Sequence, residues 1–372
     1  MTQKYIPIDI NATGREAVAT AFANQVAYCR SSGATVTARI CAALGAVIAD
    51  SKVGGVFVER LRNWTGAPLA DALPLRAAGG LHALHLAGVE PRLAPIYVGD
   101  DGDGVDDKAL VAAVLADHAA TLLPWLDGPP QTNEAGRSAN FIAAMLWLTD
   151  QGLPPRFSCF EIGSSAGINL MLARYHYLLG GVHVGPQPGA INFAPEWRGA
   201  PPPDRAFEIL DCTGCDVAPV DLTDPAQAMR LRAYIWPEHK VRFARMDSAI
   251  AAASEQPPKI THMAAADFVE QQLAQPRAAG TTRLLFHSIV WQYLPASEQA
   301  RITTAMAAAG ASARADAPLA WAAVEANRDT HAHELVVRHW PNAAGDAADW
   351  AAGAPVTLAT AHPHGAVISW LV

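Results

Sequence analysis

Long hydrophobic runs are missing from this chain of 372 residues. The longest apolar stretch, Ile40 to Ala49, falls well short of the ~20 residues that a helix needs to cross a bilayer. The opening Met-Thr-Gln-Lys-Tyr-Ile-Pro-Ile-Asp holds no apolar core of the secretory kind, so no leader is expected. Basic clusters are missing as well. Lys and Arg number 27 against 35 Asp and Glu, a net charge of −8, and duplex nucleic acid would demand a basic face. Cysteine is sparse: five in a chain this long make no disulfide framework, and an odd count fits a reducing compartment. These absences leave a cytoplasmic protein that acts on a small molecule, with neither membrane nor nucleic acid as partner.

What is present is apolar in bulk. Hydrophobic residues make up 51% and charged residues 17%, ample for packed cores, and the length favours two domains. From Gly14 to Asp50, apolar residues recur at helical spacing, with a break at Ser31-Ser32-Gly33. Helical spacing resumes after Gly79-Gly80 and again from Asp107 to Leu123, around a polar loop at Gly99–Gly104. Residues 1–130 therefore read as an all-helical domain, a lid or substrate domain.

The remainder, 131–372, reads as alternating strand and helix. Thr132 or Asn133 can cap a helix carrying Phe141, Met145 and Leu148 on one face, which Gly152, Pro154 and Pro155 stop. Arg156 to Ile162 is then a short apolar run, Gly163 to Gly167 a turn, and Ile168 to Leu179 a helix ended by Gly180-Gly181. Strand, glycine turn and helix open a doubly wound sheet. Further strands are predicted at Ala206–Leu210, Lys259–Met263, Arg283–Ile289, Leu319–Val324, Val356–Ala361 and Ala366–Leu371, with helices over Pro225–Ile235, Asp247–Ala253, Ala265–Leu273 and Ser297–Ala309. Only His362-Pro363-His364-Gly365 joins the last two strands, so they form a hairpin. The Pro- and Gly-rich stretch 185–203 is an inserted loop or hairpin.

The chemistry concentrates at Phe160-Glu161-Ile162-Gly163-Ser164-Ser165-Ala166-Gly167-Ile168-Asn169. Glycines at a strand-to-helix turn let a ligand approach the backbone, and Glu161 can accept hydrogen bonds from an ammonium or hydroxyls. Glu161-x-Gly163-x-x-x-Gly167 resembles the first motif of class I S-adenosylmethionine-dependent methyltransferases, with Ser165 where a glycine is usual. A mostly parallel, Rossmann-like α/β sheet closed by a C-terminal antiparallel hairpin is similar to the arrangement of that class. The resemblance implies S-adenosylmethionine as cofactor, held by Glu161, Gly163, Ser165, Gly167 and Asn169, with Asp216 on the ribose and Asp267 on the adenine. His287, at the carboxyl end of the fourth strand where ligands of open sheets sit, would lie close to a methyl donor and is a candidate general base near neutral pH; Glu325 is the second catalytic candidate. Asn133, Arg137, Trp291, Tyr293 and His364 are the candidate substrate contacts.

The same turn spells Gly163-x-Ser165-x-Gly167, the nucleophile elbow of α/β-hydrolases, with Glu325 and then His362 or His364 following in triad order. Against a hydrolase stand the helical character of the upstream chain and the absence of any role for Glu161. A non-catalytic ligand sensor is a third possibility. Cys212-x-x-Cys215 has no second pair, and His331-x-His333 and His362-x-His364 lack acidic or thiol partners, so no metal is expected. Finally, Asn133-Glu134-x-x-Arg137-Ser138, the glycine turn, Gly214-Cys215-Asp216, Trp236-Pro237-Glu238, His287-Ser288-x-x-Trp291-Gln292-Tyr293, Trp321-x-x-x-Glu325 and His362-x-His364-Gly365 together resemble an uncharacterised bacterial domain-of-unknown-function family, over nearly the whole chain.

Overall fold

The computed structural model describes residues 9–99, 104–131, 133–330, 332–340 and 353–372. Thr132, His331 and most of the polar loop at 99–104 lie outside them. The chain divides into two compact units: Met1–Thr132 with Pro225–Ala244, and Asn133–Asp224 with Arg245–Val372. The predicted helix at Pro225–Ile235, read from sequence as part of the strand-bearing region, belongs to the first unit and runs over Pro225–Ala233.

In the first unit, helices Arg15–Ser31, Thr35–Ala49, Val56–Arg62, Leu73–Leu86 and Asp107–Asp117 enclose Phe22, Leu44, Phe57, Leu61, Leu81 and Val114. Asp106 caps the last of these by accepting the Ala109 N–H at 3.0 Å. Gly79-Gly80 does not break a helix, as the spacing suggested, but lies inside Leu73–Leu86. The reason is contact: a Cβ on Gly79 would meet the Tyr234 ring at 2.6 Å and one on Gly80 would meet Leu122 at 2.9 Å. Among the described residues no single helix is long and apolar enough to cross a membrane. The bent pair Asp107–Asp117 and Ala119–Leu126 reaches the composition only across an 86° break, with Val111, Val114, Leu115, Leu122 and Leu126 in the unit's core.

The second unit is a mixed α/β structure. Its strands are β1 (Arg156–Ile162), β2 (His176–Leu179), β3 (Val182–Val184), β4 (Asn192–Phe193), β5 (Glu196–Arg198), β6 (Glu208–Asp216), β7 (Lys259–His262), β8 (Thr282–Ser288), β9 (Leu319–Ala326), β10 (His333–Trp340), β11 (Val356–Ala361) and β12 (Val367–Trp370). Nine form one sheet in the order β5-β12-β11-β10-β9-β8-β1-β6-β7. The five strands β7-β6-β1-β8-β9 are parallel, whereas β9 through β12 form an antiparallel meander. Helices cover both faces, as a parallel sheet requires. Helices Ala265–Ala274 and Ala296–Ala311 pack Phe268, Ile302 and Met306 with Phe160, Leu285 and Trp321. On the other face Phe141 of the Ser138–Asp150 helix meets Phe286 with ring centroids 4.7 Å apart. That helix is buried from Ser138 to Leu148, which explains why its sequence is apolar nearly all round.

Three local expectations are corrected. Ile168 to Leu179 is not a helix: a 3₁₀ turn, Ile168–Arg174, is followed by the hairpin β2–β3. Tyr175, Tyr177 and Leu179 alternate into the core at 0% exposure. Gly180 (φ 55°) and Gly181 (φ 97°) supply the two left-handed residues of a tight hairpin loop. The second strand of the main sheet is longer than Ala206–Leu210 suggests, running to Asp216, so Asp211, Cys212 and Cys215 are strand residues. Finally, β10 was not anticipated, because its Glu334 and Arg338 mask a period-two pattern in which Leu335 and Val337 are fully buried.

Candidate functional site

β1 pairs with β6 on one side and with β8 on the other, all three parallel. The chain continues from β1 to β6 and only later returns to β8, so the strand order reverses between β1 and β8. Ligands of open parallel sheets bind in the crevice beyond the carboxyl ends at such a reversal. At the carboxyl ends lie Glu161 and the glycine turn after β1, Asp216 at the end of β6, His287 to Trp291 after β8 and Glu325 near the end of β9. Glu161 is level with Phe286 and His287 with Ala323, so the Glu161 side chain and the His287–Glu325 pair stand on opposite faces of the sheet.

The glycine turn is tightly tied to the protein. Ser164 N–H donates to the Cys215 carbonyl at 2.9 Å, Gly167 N–H to the Ser164 carbonyl at 2.7 Å, and Ser165 N–H to Asp216 Oδ2 at 2.8 Å. Asn133 Nδ2 donates to the Ser164 carbonyl. Asp216 also receives the Ala218 N–H at 2.8 Å, so its carboxylate is spent on fixing the turn. Gly163 and Gly167 have left-handed backbones, and so does Ser165 at φ 53°. A Cβ on Gly163 would lie 2.3 Å from Val290, and one on Gly167 2.9 Å from Ile260. Both glycines are therefore required for packing.

Side chains round the turn are polar and incompletely paired. Glu161 is 2% exposed, and its Oε2, like Asn133 Oδ1, Asn169 Oδ1 and Ser165 Oγ, has no hydrogen-bond partner among the described residues. Burial pushes the Glu161 carboxyl up to about 8, against hydrogen bonds from Ser164 and Asn169 and the nearby charge of Arg137. Near neutral pH it is a neutral acid. An unsatisfied buried acceptor costs on the order of 1–3 kcal/mol, so several around one turn ask for a donor-bearing ligand.

The β8 side is organised round His287. Its ring is 1% exposed. Nδ1 lies 2.7 Å from Glu325 Oε1, and Trp321 Nε1–H donates to Nε2 at 3.0 Å. Indole can only donate, so Nε2 holds the lone pair and Nδ1 carries the proton. Trp291 stacks on the imidazole with centroids 5.4 Å apart. Glu325 Oε1 also receives the N–H groups of Val290 and Trp291. Burial would raise the Glu325 carboxyl, but the hydrogen bonds from His287 and from these backbone donors outweigh it and hold it below the usual range.

The other candidates fall into two groups. Arg137 is buried and its Nε donates to the Pro363 carbonyl at 2.8 Å. Glu134 accepts the Gly136 N–H and pairs with Arg245, whose guanidinium also reaches the His364 carbonyl. The turn Ala135–Arg137 thus seats the His362–Gly365 loop, where His364 N–H donates to His362 Nδ1 at 3.1 Å. Asp267, by contrast, is exposed and ion-paired with Arg301 at 2.7 Å, and Tyr293 is 72% exposed.

Sequence reasoning missed Ser164, Trp321 and His333 as partners. Burial lowers the pKa of His333, Arg137 and His362 lower it further, and Glu325 opposes them. Arg137 also acts on Glu161, so the same charge reaches both Glu161 and His333. Cys212 and Cys215, three apart on β6, point to opposite faces. Cys212 pairs across with Cys159, and burial pushes both Cys212 and Cys215 up. Among the described residues no three His, Cys, Asp or Glu side chains come together as a metal-holding group. No curated protein and no solved structure matches the chain. A family model matches residues 19–370, and by it the chain belongs to the uncharacterised proteins conserved in bacteria, DUF2332.

Proposed function

We propose that the protein is an S-adenosylmethionine-dependent methyltransferase acting on a small molecule, with its cofactor in the crevice between β1 and β8. The observation that carries this reading is the set of unpaired acceptors at the carboxyl end of β1: Glu161 Oε2, Asn169 Oδ1 and Asn133 Oδ1. An amino-acid ammonium group offers three donors to this cluster of lone pairs, and its positive charge would draw the proton off Glu161 and so complete the match. The five parallel strands with their reversal beside β1 fit a class I methyltransferase sheet, and the position of Glu161 fits its first motif. Asp216 and Asp267 fit less well, because both carboxylates already have partners in the protein.

When bound, the cofactor supplies an electrophilic methyl group. The protein's own part is positioning and proton uptake. All three hydrogen bonds to Glu325 fall on Oε1, which leaves Oε2 as the proton acceptor for a methyl acceptor that reaches past the strand ends from the Glu161 face to the His287 face. His287, with both nitrogens engaged, holds Glu325 in place. A serine-hydrolase reading would use Ser165, whose left-handed backbone suits an elbow. Its Oγ has no partner among the described residues, so the base that activates such a serine is missing, and we place this reading second.

Calorimetric titration with S-adenosylhomocysteine tests the proposal. A stoichiometric site that Glu161→Ala abolishes is expected. No heat at millimolar ligand would overturn it.

A further inference from the structure

The β2–β3 hairpin carries a second group of polar side chains, away from the glycine turn. His176 Nε2 lies 3.2 Å from His183 Nδ1, and Gln187 Nε2 lies 3.1 Å from the first and 3.3 Å from the second. These three contacts cannot all be hydrogen bonds. If the amide donates to both rings, two ring lone pairs face each other at 3.2 Å with no proton between them. If one ring donates to the other, its protonated nitrogen can no longer accept from the amide. One contact is always unfavourable, yet the group is tightly held.

The holding is visible in the backbone. His176 is 9% exposed and its N–H donates to the Ile191 carbonyl at 2.9 Å. A Cβ on Gly189 would lie 2.3 Å from His176 N, and one on Gly185 would lie 2.1 Å from the Tyr175 carbonyl. The 185–189 loop is thus pressed onto the strand on both sides of His176. The two rings stack at 5.3 Å. His176 Nδ1 has no partner, so nothing else among the described residues fixes which nitrogen carries the proton, and Nε2 is free to present a lone pair.

We infer that His176 Nε2, His183 Nδ1 and the Gln187 amide oxygen bind one divalent first-row transition ion of the zinc class. Turning the Gln187 amide over places its oxygen where its nitrogen stands, at no steric cost. All three atoms are then acceptors within 3.1–3.3 Å of one another, and a cation held between them removes the conflict. A near-equilateral triangle with sides of 3.1–3.3 Å accommodates a cation roughly 2.0–2.1 Å from each corner with angles of about 100°, close to tetrahedral. The fourth position falls to water. Imidazole nitrogen suits zinc, copper and nickel ions, and the exposure of His183 and Gln187 gives the ion a way in. The inference is independent of the proposed methyl-transfer chemistry.

Tag-free protein, stripped with a chelator and dialysed, is titrated with Zn²⁺ alone, and with Co²⁺ as a visible-absorption reporter of coordination geometry. One equivalent of Zn²⁺ is expected, with an intense, tetrahedral-type Co²⁺ spectrum. His183→Ala, at an exposed position, should weaken binding at least about 100-fold, the upper range for loss of a mere outer-shell contact, and should abolish the Co²⁺ spectrum while circular dichroism stays unchanged. Gln187→Ala should weaken binding by a smaller factor. Failure of the wild-type protein to bind at micromolar Zn²⁺ would overturn the inference. So would undiminished binding by both variants, which would locate the ion elsewhere, for instance at His362 and His364.

Discussion

His287 and Glu325 sit on adjacent parallel strands, and the Nδ1 proton of the first is held 2.7 Å from Oε1 of the second. With Trp321 occupying Nε2, both ring nitrogens are committed. Nitrogen-15 NMR of the histidines should show His287 as the neutral Nδ1–H tautomer, and Trp321→Phe should release that constraint. An Nε2–H signal in the wild type would contradict the assignment.

The same pair has a stability consequence. Glu325→Ala would leave His287 Nδ1–H and the N–H groups of Val290 and Trp291 without their acceptor. Each buried orphan costs about 1–3 kcal/mol, so several kcal/mol should be lost and the thermal midpoint should fall clearly. A variant as stable as wild type would show that these donors reach water.

Glu161 makes stability depend on pH. Its carboxyl is raised in the fold to about 8 from an ordinary 4.5, so between these values the folded state binds the extra proton. Its contribution is fully present below pH ~4.5 and declines as pH rises toward 8, at about 1.4 kcal/mol per unit. Glu161→Gln removes the ionisable group. The difference in unfolding free energy between variant and wild type should therefore shift by about 3.5 kcal/mol in the variant's favour from pH 5 to pH 8. Parallel pH profiles would show that Glu161 titrates normally.

Ser165 separates the two enzyme readings. A non-glycine residue at φ 53° carries a backbone penalty of about 1–2 kcal/mol. Ser165→Gly should relieve part of it, stabilise the protein by about 1 kcal/mol and keep S-adenosylhomocysteine binding. Stoichiometric labelling of Ser165 by a fluorophosphonate would instead identify an activated nucleophile and reverse the preference.

Much of the fold was legible because it is local. β1, the Gly163–Gly167 turn and the His362–Gly365 hairpin loop are written in short apolar runs and glycine positions, which need no distant partner to be recognised. The helical character of the first hundred or so residues came from spacing alone. Where neighbouring signals overlapped, local reading failed. Leu170, Met171 and Leu172 lead with helical spacing into Tyr175 and Tyr177, whose alternation only the Gly180-Gly181 turn reveals as a hairpin.

Sequence alone named Glu161, His287 and Glu325 as chemistry-bearing residues, since each falls at a predicted strand end in a distinctive motif. It could not say what they touch. Register decided that: His287 stands opposite Ala323, which brings Trp321 and Glu325, two residues to either side on the same face of β9, to the two nitrogens of one ring. Burial decided the rest. A carboxyl reads the same in any sequence, and only the packing of β1 between β6 and β8 takes water away from Glu161 and keeps its proton on.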